Sequence, residues 1–151
     1  MLETWRIVTR KWAEAAFDGE GARLYGGRWN SPGRAVVYLA DSRALAALES
    51  LVHHPGIPEI DYVRFPVRFK SSLVEAVPTT GLEASIRSPV VAPETQAVGD
   101  QWLRQGRKPV LEVPSAIIPE EYNYLLNPKH PKFGQIEIGA AEGFAFDPRL
   151  V

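Results

Sequence analysis

The stretch that decides the fold is GARLYGGRWNSPGRAVVYLA, residues 21–40, which places a glycine- and arginine-rich segment directly before an apolar run. Gly26 and Gly27 permit positive φ and leave room for the backbone to approach a ligand closely. Arg28 follows them, and its guanidinium can hold an anion through two parallel hydrogen bonds. A hairpin turn whose arginine stacks on Trp29 would use the same residues. The stretch by itself therefore leaves both interpretations open.

The apolar run AVVYLA, residues 35–40, predicts a strand that is buried on both faces. Because the glycines precede a strand and not a helix, the segment is not a GxGxxG dinucleotide fingerprint, and it also lacks the spacing of a P-loop. Tyr38 lies in this strand. A tyrosine there is most often a core residue with a satisfied hydroxyl, and otherwise part of a site.

Residues 41–56, DSRALAALESLVHHPG, predict a helix directly after this strand. Either Asp41 or Ser42 can cap its N-terminus, and Pro55-Gly56 ends it.

The position of Glu49 on this helix is unusual for a carboxylate. Leu45, Leu48 and Val52 predict an apolar stripe, and Glu49, four residues after Leu45, projects into that stripe. Glu49 either reaches solvent or an arginine from the flank of the buried face, or it points into a cleft where burial and a nearby cation set its chemistry.

The remaining elements alternate irregularly between strands and helices, which favours an α+β fold in one domain over residues 1–151. Pro66 places its strand at an edge or a bulge. The predicted strands are 4–8, 62–69 and 109–115. The predicted helices are 11–17, ended by Gly19 and Gly21, and 94–105, ended by Gly106. The segments IEIG (136–139) and FAFDP (144–148) predict a closing hairpin.

The composition excludes several classes of function. The formal net charge of −1 argues against general binding of a nucleic-acid backbone, although a local basic pocket remains compatible with it. The absence of cysteine excludes disulfides, thiolate catalysis and cysteine-bound metal, and the three histidines show no metal-ligand spacing. The first residues carry charges and do not form a signal peptide, and no apolar run is long enough to span a membrane.

Two polar residues near the C-terminal strands are further candidates. Ser115 ends the strand VLEVPS, where a serine usually only forms a turn. Asn123 lies among tyrosines and leucines, so its amide needs partners from the backbone or from a substrate.

Together these segments resemble the RES-domain toxins of bacterial RES–Xre toxin–antitoxin systems. The family is named after an arginine, a glutamate and a serine, which match Arg28 in LYGGRWNSPGRAVVYLA, Glu49 in ALAALESLVH and Ser115 in EVPSAIIPEEYNYLLNPKHPKF. WRIV at the start and FAFDPRL at the end also resemble the family's borders, so the similarity spans most of the chain.

The resemblance implies an α+β fold similar to mono-ADP-ribosyltransferases and diphtheria-toxin-like enzymes, and a cytoplasmic enzyme that acts on NAD+. Members either degrade NAD+, including by phosphorolysis, or ADP-ribosylate a target protein. NAD+ is then a substrate, with no cofactor and no metal. The implied partner is an Xre-type helix-turn-helix antitoxin that blocks the active site, within a dimer or a hetero-oligomer; neither nucleic acid nor a membrane is an expected partner.

From the chemistry of this reaction we hypothesise roles for five residues. Glu49 orients the ribose hydroxyls and stabilises the positive charge that develops when the nicotinamide–ribose bond breaks. Arg28 holds the pyrophosphate or an incoming phosphate, and Tyr38 packs against the nicotinamide or ribose. Ser115 and Asn123 hydrogen-bond the nicotinamide ribose or amide. The predicted catalytic residues are Glu49, Arg28 and Ser115.

Two other classes of function remain as alternatives. One is an RNA-cleaving toxin, against which the net charge of −1 and the lack of a basic stripe count. The other is a non-catalytic module that binds NAD+ in an enzyme-like cleft.

Overall fold

The structure, a computed structural model, describes residues 1–53 and 61–150. Within these residues the strands are β1 (Leu2–Thr9), β2 (Val37–Ala40), β3 (Tyr62–Phe69), β4 (Val74–Ala76), β5 (Val110–Pro114), β6 (Tyr122–Leu126), β7 (Glu137–Ile138) and β8 (Glu142–Phe144). The α-helices are α1 (Glu20–Tyr25), α2 (Arg43–His53), α3 (Glu83–Arg87) and α4 (Pro93–Gln105). Short 3-10 helices cover Arg10–Ala15, Ser71–Leu73, Phe133–Gln135 and Pro148–Leu150.

The strands form one mixed sheet in the order β4-β5-β6-β2-β1-β3-β7, with β8 also paired to β3. β4 and β5 are parallel, whereas the other described strand pairs are antiparallel. A mixed sheet with flanking helices confirms the α+β prediction. The predicted closing hairpin is wrong, because β7 and β8 each pair with β3 and not with each other.

The sheet has a seam between β1 and β2, which meet at one residue pair, Trp5 with Ala40. Beyond this pair the guanidinium of Arg6 bridges the two strands. Its Nη1 donates to the Tyr38 carbonyl at 2.9 Å and its Nε donates to the Ala16 carbonyl at 2.6 Å. Burial lowers the pKa of Arg6 to about 10. Arg6 thus links the segment that precedes α1 to the strand that carries Tyr38.

Apolar clusters cover both faces of the sheet. The cluster on one face contains strand residues Val37, Leu39, Val63, Phe65, Val67, Phe69, Val110, Tyr124 and Leu126. The opposite face carries two clusters. One lies under α3 and α4 and contains Trp29, Val36, Ile86, Trp102, Leu103, Leu111, Val113 and Leu125. The other lies under α2 and contains Trp5, Ala40, Leu45 and Ala46.

Strand β3 shows the predicted alternation, but Pro66 is not at the edge of the sheet, since β3 has neighbours on both sides. The Pro66 carbonyl accepts a hydrogen bond from the Gly139 N–H at 2.8 Å, in the gap between β7 and β8. The N–H and C=O of one residue point to the same side of an antiparallel strand. The N–H that proline lacks therefore faces this gap, where no strand needs it.

The segment before β2 differs from its prediction. The sequence predicts a helix over 11–17 ended by Gly19, but a 3-10 helix covers Arg10–Ala15 and α1 begins after Gly19. Gly19 has φ of 73°, and a Cβ there would lie 2.7 Å from the Val36 nitrogen. The glycine is thus required at the start of α1, where the chain passes close to the segment leading into β2.

The apolar stripe predicted for α2 is also wrong. Leu48 and Val52 are 39% and 60% exposed, whereas Leu45 and Ala46 are buried. The buried face of α2 therefore contains Leu45 and Ala46 and continues toward Glu49. This is the face of the helix that packs on Trp5 of β1 and Ala40 of β2. Ser42 is the N-terminal cap, since its hydroxyl accepts a hydrogen bond from the Leu45 N–H at 3.1 Å. The predicted end at Pro55-Gly56 lies outside the described residues.

The predicted helix near 94–105 is confirmed as α4, and Gly106 ends it in a left-handed conformation with φ of 59°. The close packing of α4 on the loop that contains Arg28 and Trp29 was not predicted. A Cβ on Gly99 would lie 1.7 Å from the Trp29 carbonyl oxygen. Trp29 is 2% exposed, so it cannot yield without disturbing its cluster.

The substitution Gly99→Ala is expected to destabilise the protein by about 1–3 kcal/mol, because α4 must move away from Trp29. Gly21→Ala is the matched control, since Gly21 also lies in a helix and no atom lies within 4 Å of the place that its added methyl group would take. The control should be neutral or gain up to about 1 kcal/mol from the lower entropy of the unfolded chain. Urea unfolding of both variants measures this, and equal midpoints would contradict the packing argument.

Candidate active site

A polar cluster lies on the border between the two apolar clusters that share one face of the sheet. Asn123 on β6 marks this border, because it is paired with Ala40 on β2 and with Val113 on β5. Ala40 belongs to the cluster under α2 and Val113 to the cluster under α3 and α4. Polar side chains at this border can share contacts with α2 on one side and with the Arg28 loop on the other.

The half-buried carboxylate of Glu49 is the centre of this polar cluster. Its Oε1 accepts a hydrogen bond from the Ser115 hydroxyl at 3.1 Å, and its Oε2 accepts one from Asn123 Nδ2 at 2.8 Å. Burial raises the pKa of Glu49 above its usual value, while the hydrogen bonds from Ser115 and Asn123 and the Arg28 charge lower it. Three of the predicted site residues are therefore in direct contact.

The two donors to Glu49 are themselves fixed by the backbone. Ser115 is fully buried, and its hydroxyl oxygen accepts hydrogen bonds from the N–H groups of Ile117 and Ile118 at 3.1 and 3.2 Å. These contacts aim the hydroxyl proton at Glu49. Asn123 Nδ2 also donates to the Leu39 carbonyl at 3.1 Å, so both of its hydrogens are used. Ser115 and Asn123 thus set the orientation of the carboxylate.

Arg28 lies within electrostatic reach of Glu49, and its guanidinium is held at the C-terminal end of α3. Its Nη1 donates to the Ser85 carbonyl at 3.2 Å and its Nη2 donates to the Ser88 carbonyl at 2.8 Å. A guanidinium has five N–H groups, so the remaining ones are available to an anion. Burial lowers the pKa of Arg28, while Tyr38 and Glu49 raise it. The alternative interpretation had the Arg28 guanidinium stacked on Trp29. The cation–π contacts of the described residues do not include this pair.

Helix α4 holds the main chain around Arg28. The hydroxyl of Thr95, which is fully buried, donates to the Arg28 carbonyl at 2.6 Å. Gln96 Nε2 lies 3.2 Å from the carbonyls of both Gly27 and Asn30. Asp100 accepts hydrogen bonds from the Ser31 N–H at 3.0 Å and from its hydroxyl at 2.5 Å.

These polar contacts were missed in the sequence, although the signal was present. Thr95, Gln96, Gly99 and Asp100 recur at helical spacing, which places them on neighbouring positions of one face of α4. That face contacts the loop and not solvent.

Tyr38 is tied to the same loop by its hydroxyl. The hydroxyl donates to Asn30 Oδ1 at 2.6 Å and accepts the Trp29 N–H at 3.1 Å. Burial raises the pKa of Tyr38. A Cβ on Gly27 would lie 2.6 Å from this hydroxyl, so the close approach that Gly27 permits is to Tyr38. Gly26 has the positive φ expected of it, at 73°.

The described residues contain no group of three or more histidine, cysteine, aspartate or glutamate side chains that could hold a metal ion. Among the same residues, no helix has the length and apolar character needed to cross a membrane.

Comparison with known proteins defines the family. The model of the RES domain family matches residues 3–147. The chain is 37% identical over 149 residues to Toxin Res of Yersinia enterocolitica, with 97% of each chain covered. It is 38% identical over 157 residues to the Prs ADP-ribosylating toxin of Sphingobium sp. (strain YBL2), with 97% of this chain and 95% of the relative covered. Toxin Res of Pseudomonas putida is 37% identical over 153 residues, with 97% of each covered.

The fold and the site together define an α+β domain with a mixed sheet and a half-buried carboxylate within electrostatic reach of an arginine. The chain belongs to the RES domain family. The family and the mixed sheet together confirm the expected ADP-ribosyltransferase-like fold.

The raised pKa of Glu49 predicts a pH dependence of stability. A carboxyl whose pKa is higher in the folded protein binds more protons in the native state than in the unfolded state. The contribution of Glu49 to the free energy of unfolding therefore falls as the pH rises from the usual pKa of 4.5 through the raised pKa of the folded protein. Glu49→Gln removes this titration. The free energy of unfolding of Glu49→Gln relative to the parent should therefore increase with pH across this range.

Urea unfolding of both proteins at a series of pH values measures this difference. Only its slope matters, because the amide changes the hydrogen bonds to Ser115 and Asn123 by an amount that does not depend on pH. A difference that stays flat or decreases as the pH rises would contradict the assignment.

Proposed function

We propose that this protein is the toxin of a toxin–antitoxin system and that it is an enzyme that breaks the nicotinamide–ribose bond of NAD+. The observation that carries the proposal is the Glu49 carboxylate, held by Ser115 and Asn123 within electrostatic reach of Arg28. The toxin names of the relatives support the biological role, and the name of the Sphingobium relative supports ADP-ribosyl transfer as the type of reaction.

The charges of Glu49 and Arg28 match two groups of NAD+, the reacting ribose and the pyrophosphate. Breaking the bond to nicotinamide leaves a ribose centre with oxocarbenium character, and a fixed carboxylate stabilises positive charge there without reorganising. The pyrophosphate of NAD+ needs a cation with several donors, which the free N–H groups of Arg28 supply. In this arrangement Glu49 and Arg28 are the catalytic and binding groups that touch NAD+.

The other three residues have more limited roles. Ser115 and Asn123 direct their donor groups to Glu49, so they act as positioning residues for the carboxylate. The Oδ1 atom of Asn123 stays available to a substrate amide or hydroxyl. Because the Tyr38 hydroxyl is occupied by Trp29 and Asn30, Tyr38 contributes the face of its ring to the nicotinamide or ribose.

The proposed partner is a helix-turn-helix antitoxin of the Xre type, which blocks the cleft between Glu49 and Arg28 in a cytoplasmic complex. NAD+ is the substrate, and the reaction uses neither metal nor a further cofactor.

The substitutions Glu49→Gln and Arg28→Lys should each lower the rate of NAD+ loss by about 10²–10³-fold, the usual cost of removing one group that stabilises transition-state charge. The matched controls are Glu3→Gln and Arg104→Lys, which change exposed residues that form no hydrogen bond or ion pair with Arg28, Glu49, Ser115 or Asn123. The assay follows NAD+ with purified, folded proteins. Parent rates in either site variant would overturn the assignment of that residue.

The acceptor is determined by the products. NAD+ is incubated with the protein in the presence and absence of phosphate and of bacterial lysate proteins, and the products are analysed by mass spectrometry. A protein band that gains ADP-ribose would support transfer to a protein, whereas ADP-ribose or ADP-ribose-1″-phosphate would assign water or phosphate as the acceptor. NAD+ binding by calorimetry without any product would favour a non-catalytic module, and cleavage of added RNA would favour a nuclease.

A further inference from the structure

A cavity lies at the opposite end of the strands that carry the site. It has a volume of about 450 Å³ and is lined by Arg23, Gly33, Arg34, Ala35, Leu103, Gly106, Asn127, Lys129, His130 and Pro131. Asn127 directly follows β6, whereas Asn123 lies near the start of that strand. Four residues of strand separate them by about 13 Å, so the cavity is distinct from the Glu49 cluster.

The lining of this cavity carries positive charge and no carboxylate. Arg23, Arg34 and Lys129 supply the cations. Arg23 is paired with Glu20 at 2.7 Å, whereas the side chains of Arg34 and Lys129 form no ion pair with the described residues. This concentration of positive charge contrasts with the net charge of −1 for the whole chain.

Asn127 adds a donor that has no partner among the described residues. Its side chain is only 9% exposed and lines the cavity. Its Oδ1 accepts a hydrogen bond from the Lys129 N–H at 3.0 Å, which fixes the amide plane and leaves Nδ2 without an acceptor. Nδ2 itself is accessible to solvent, so it is free to donate to an acceptor that enters the cavity.

The wall beside Asn127 is rigid. His130 Nδ1 accepts a hydrogen bond from the Lys132 N–H at 3.0 Å, so its other ring nitrogen carries the proton and donates to the Gly106 carbonyl at 2.9 Å. This contact links the turn after β6 to the end of α4. Asn127 and His130 thus belong to a fixed part of the fold, whereas the cationic side chains of Arg34 and Lys129 are exposed.

We propose that this cavity binds a small organic phosphate, with the phosphate group held by Arg34, Lys129 and Asn127 Nδ2. A phosphate at neutral pH presents oxygen acceptors and negative charge, which match a lining made of donors and cations. The volume lies in the usual range of ligand pockets, about 300–1,000 Å³, and leaves room for more than the phosphate group. Ala35, Leu103 and Pro131 provide apolar surface for the rest of the molecule.

The test is an NMR titration of the full chain with AMP, with adenosine as the matched compound without phosphate and with inorganic phosphate as a third probe. AMP should shift the amide signals of Gly33, Arg34, Asn127 and Lys129, and adenosine should not. Shifts with inorganic phosphate alone would show that the phosphate group is sufficient for binding. AMP shifts confined to the cleft around Arg28 and Glu49, or no shifts with any phosphate probe, would overturn the proposal.

Two pairs of substitutions separate a site from general charge attraction. Arg34→Gln with Lys129→Gln removes two cations from the cavity, and Arg104→Gln with Lys132→Gln removes two exposed cations outside its lining. The first pair should weaken AMP binding at least about tenfold, the effect of losing charge-assisted hydrogen bonds. The second pair should change it far less, and equal weakening by both pairs would overturn the proposal.

Asn127→Asp gives an independent check, because it keeps the acceptor for the Lys129 N–H but replaces the free donor by a negative charge. It should abolish the AMP shifts in the cavity while the rest of the spectrum stays that of the folded protein. Retained AMP binding in this variant would contradict the role of Asn127. Binding at the cavity in Glu49→Gln should equal that of the parent, so the outcome does not depend on the proposed NAD+ reaction.

Discussion

The half-buried carboxylate of Glu49 is the constraint on which the arrangement of the site depends. Removing a charged group from water is costly unless donors replace the lost hydration. Here the donors come from the end of β5 and the start of β6, through Ser115 and Asn123. The same contacts therefore stabilise the carboxylate, fix its orientation and hold α2 against the sheet. Burial still raises the pKa of Glu49, because it disfavours the charged form. A positive charge placed near the carboxylate therefore stabilises it.

The positive wall is built separately, by contacts that do not involve α2. Arg28 is held by carbonyls at the end of α3, and its main chain is held by Thr95 of α4. The hydroxyl of Tyr38 connects this loop to β2, and Arg6 connects β2 across the seam to β1. The Glu49 carboxylate and the Arg28 loop are thus connected by the strands of the sheet and by the electrostatic interaction of their two charges.

Local sequence patterns predicted the long elements well and the short ones poorly. β1, β3, α2 and α4 have apolar periodicity or clear caps, and the structure contains each of them. β4, β6 and α3 were not predicted, because they are short and lack the apolar runs that made the equally short β2 and β5 recognisable. Leu48 and Val52 were expected to be buried and are exposed, since helical spacing alone cannot say which of several faces meets the sheet.

The sequence by itself determined the α+β class and the strand and helix on either side of Asp41, and it singled out Glu49 without deciding whether its side chain points inward. These follow from local apolar spacing, capping residues and the four-residue period of a helix. Only the tertiary structure decided that Ser115 and Asn123 donate to Glu49, at separations of 66 and 74 residues along the chain. It also decided that α3 and α4 hold Arg28, because contacts between distant segments depend on strand order and register, which local patterns do not encode.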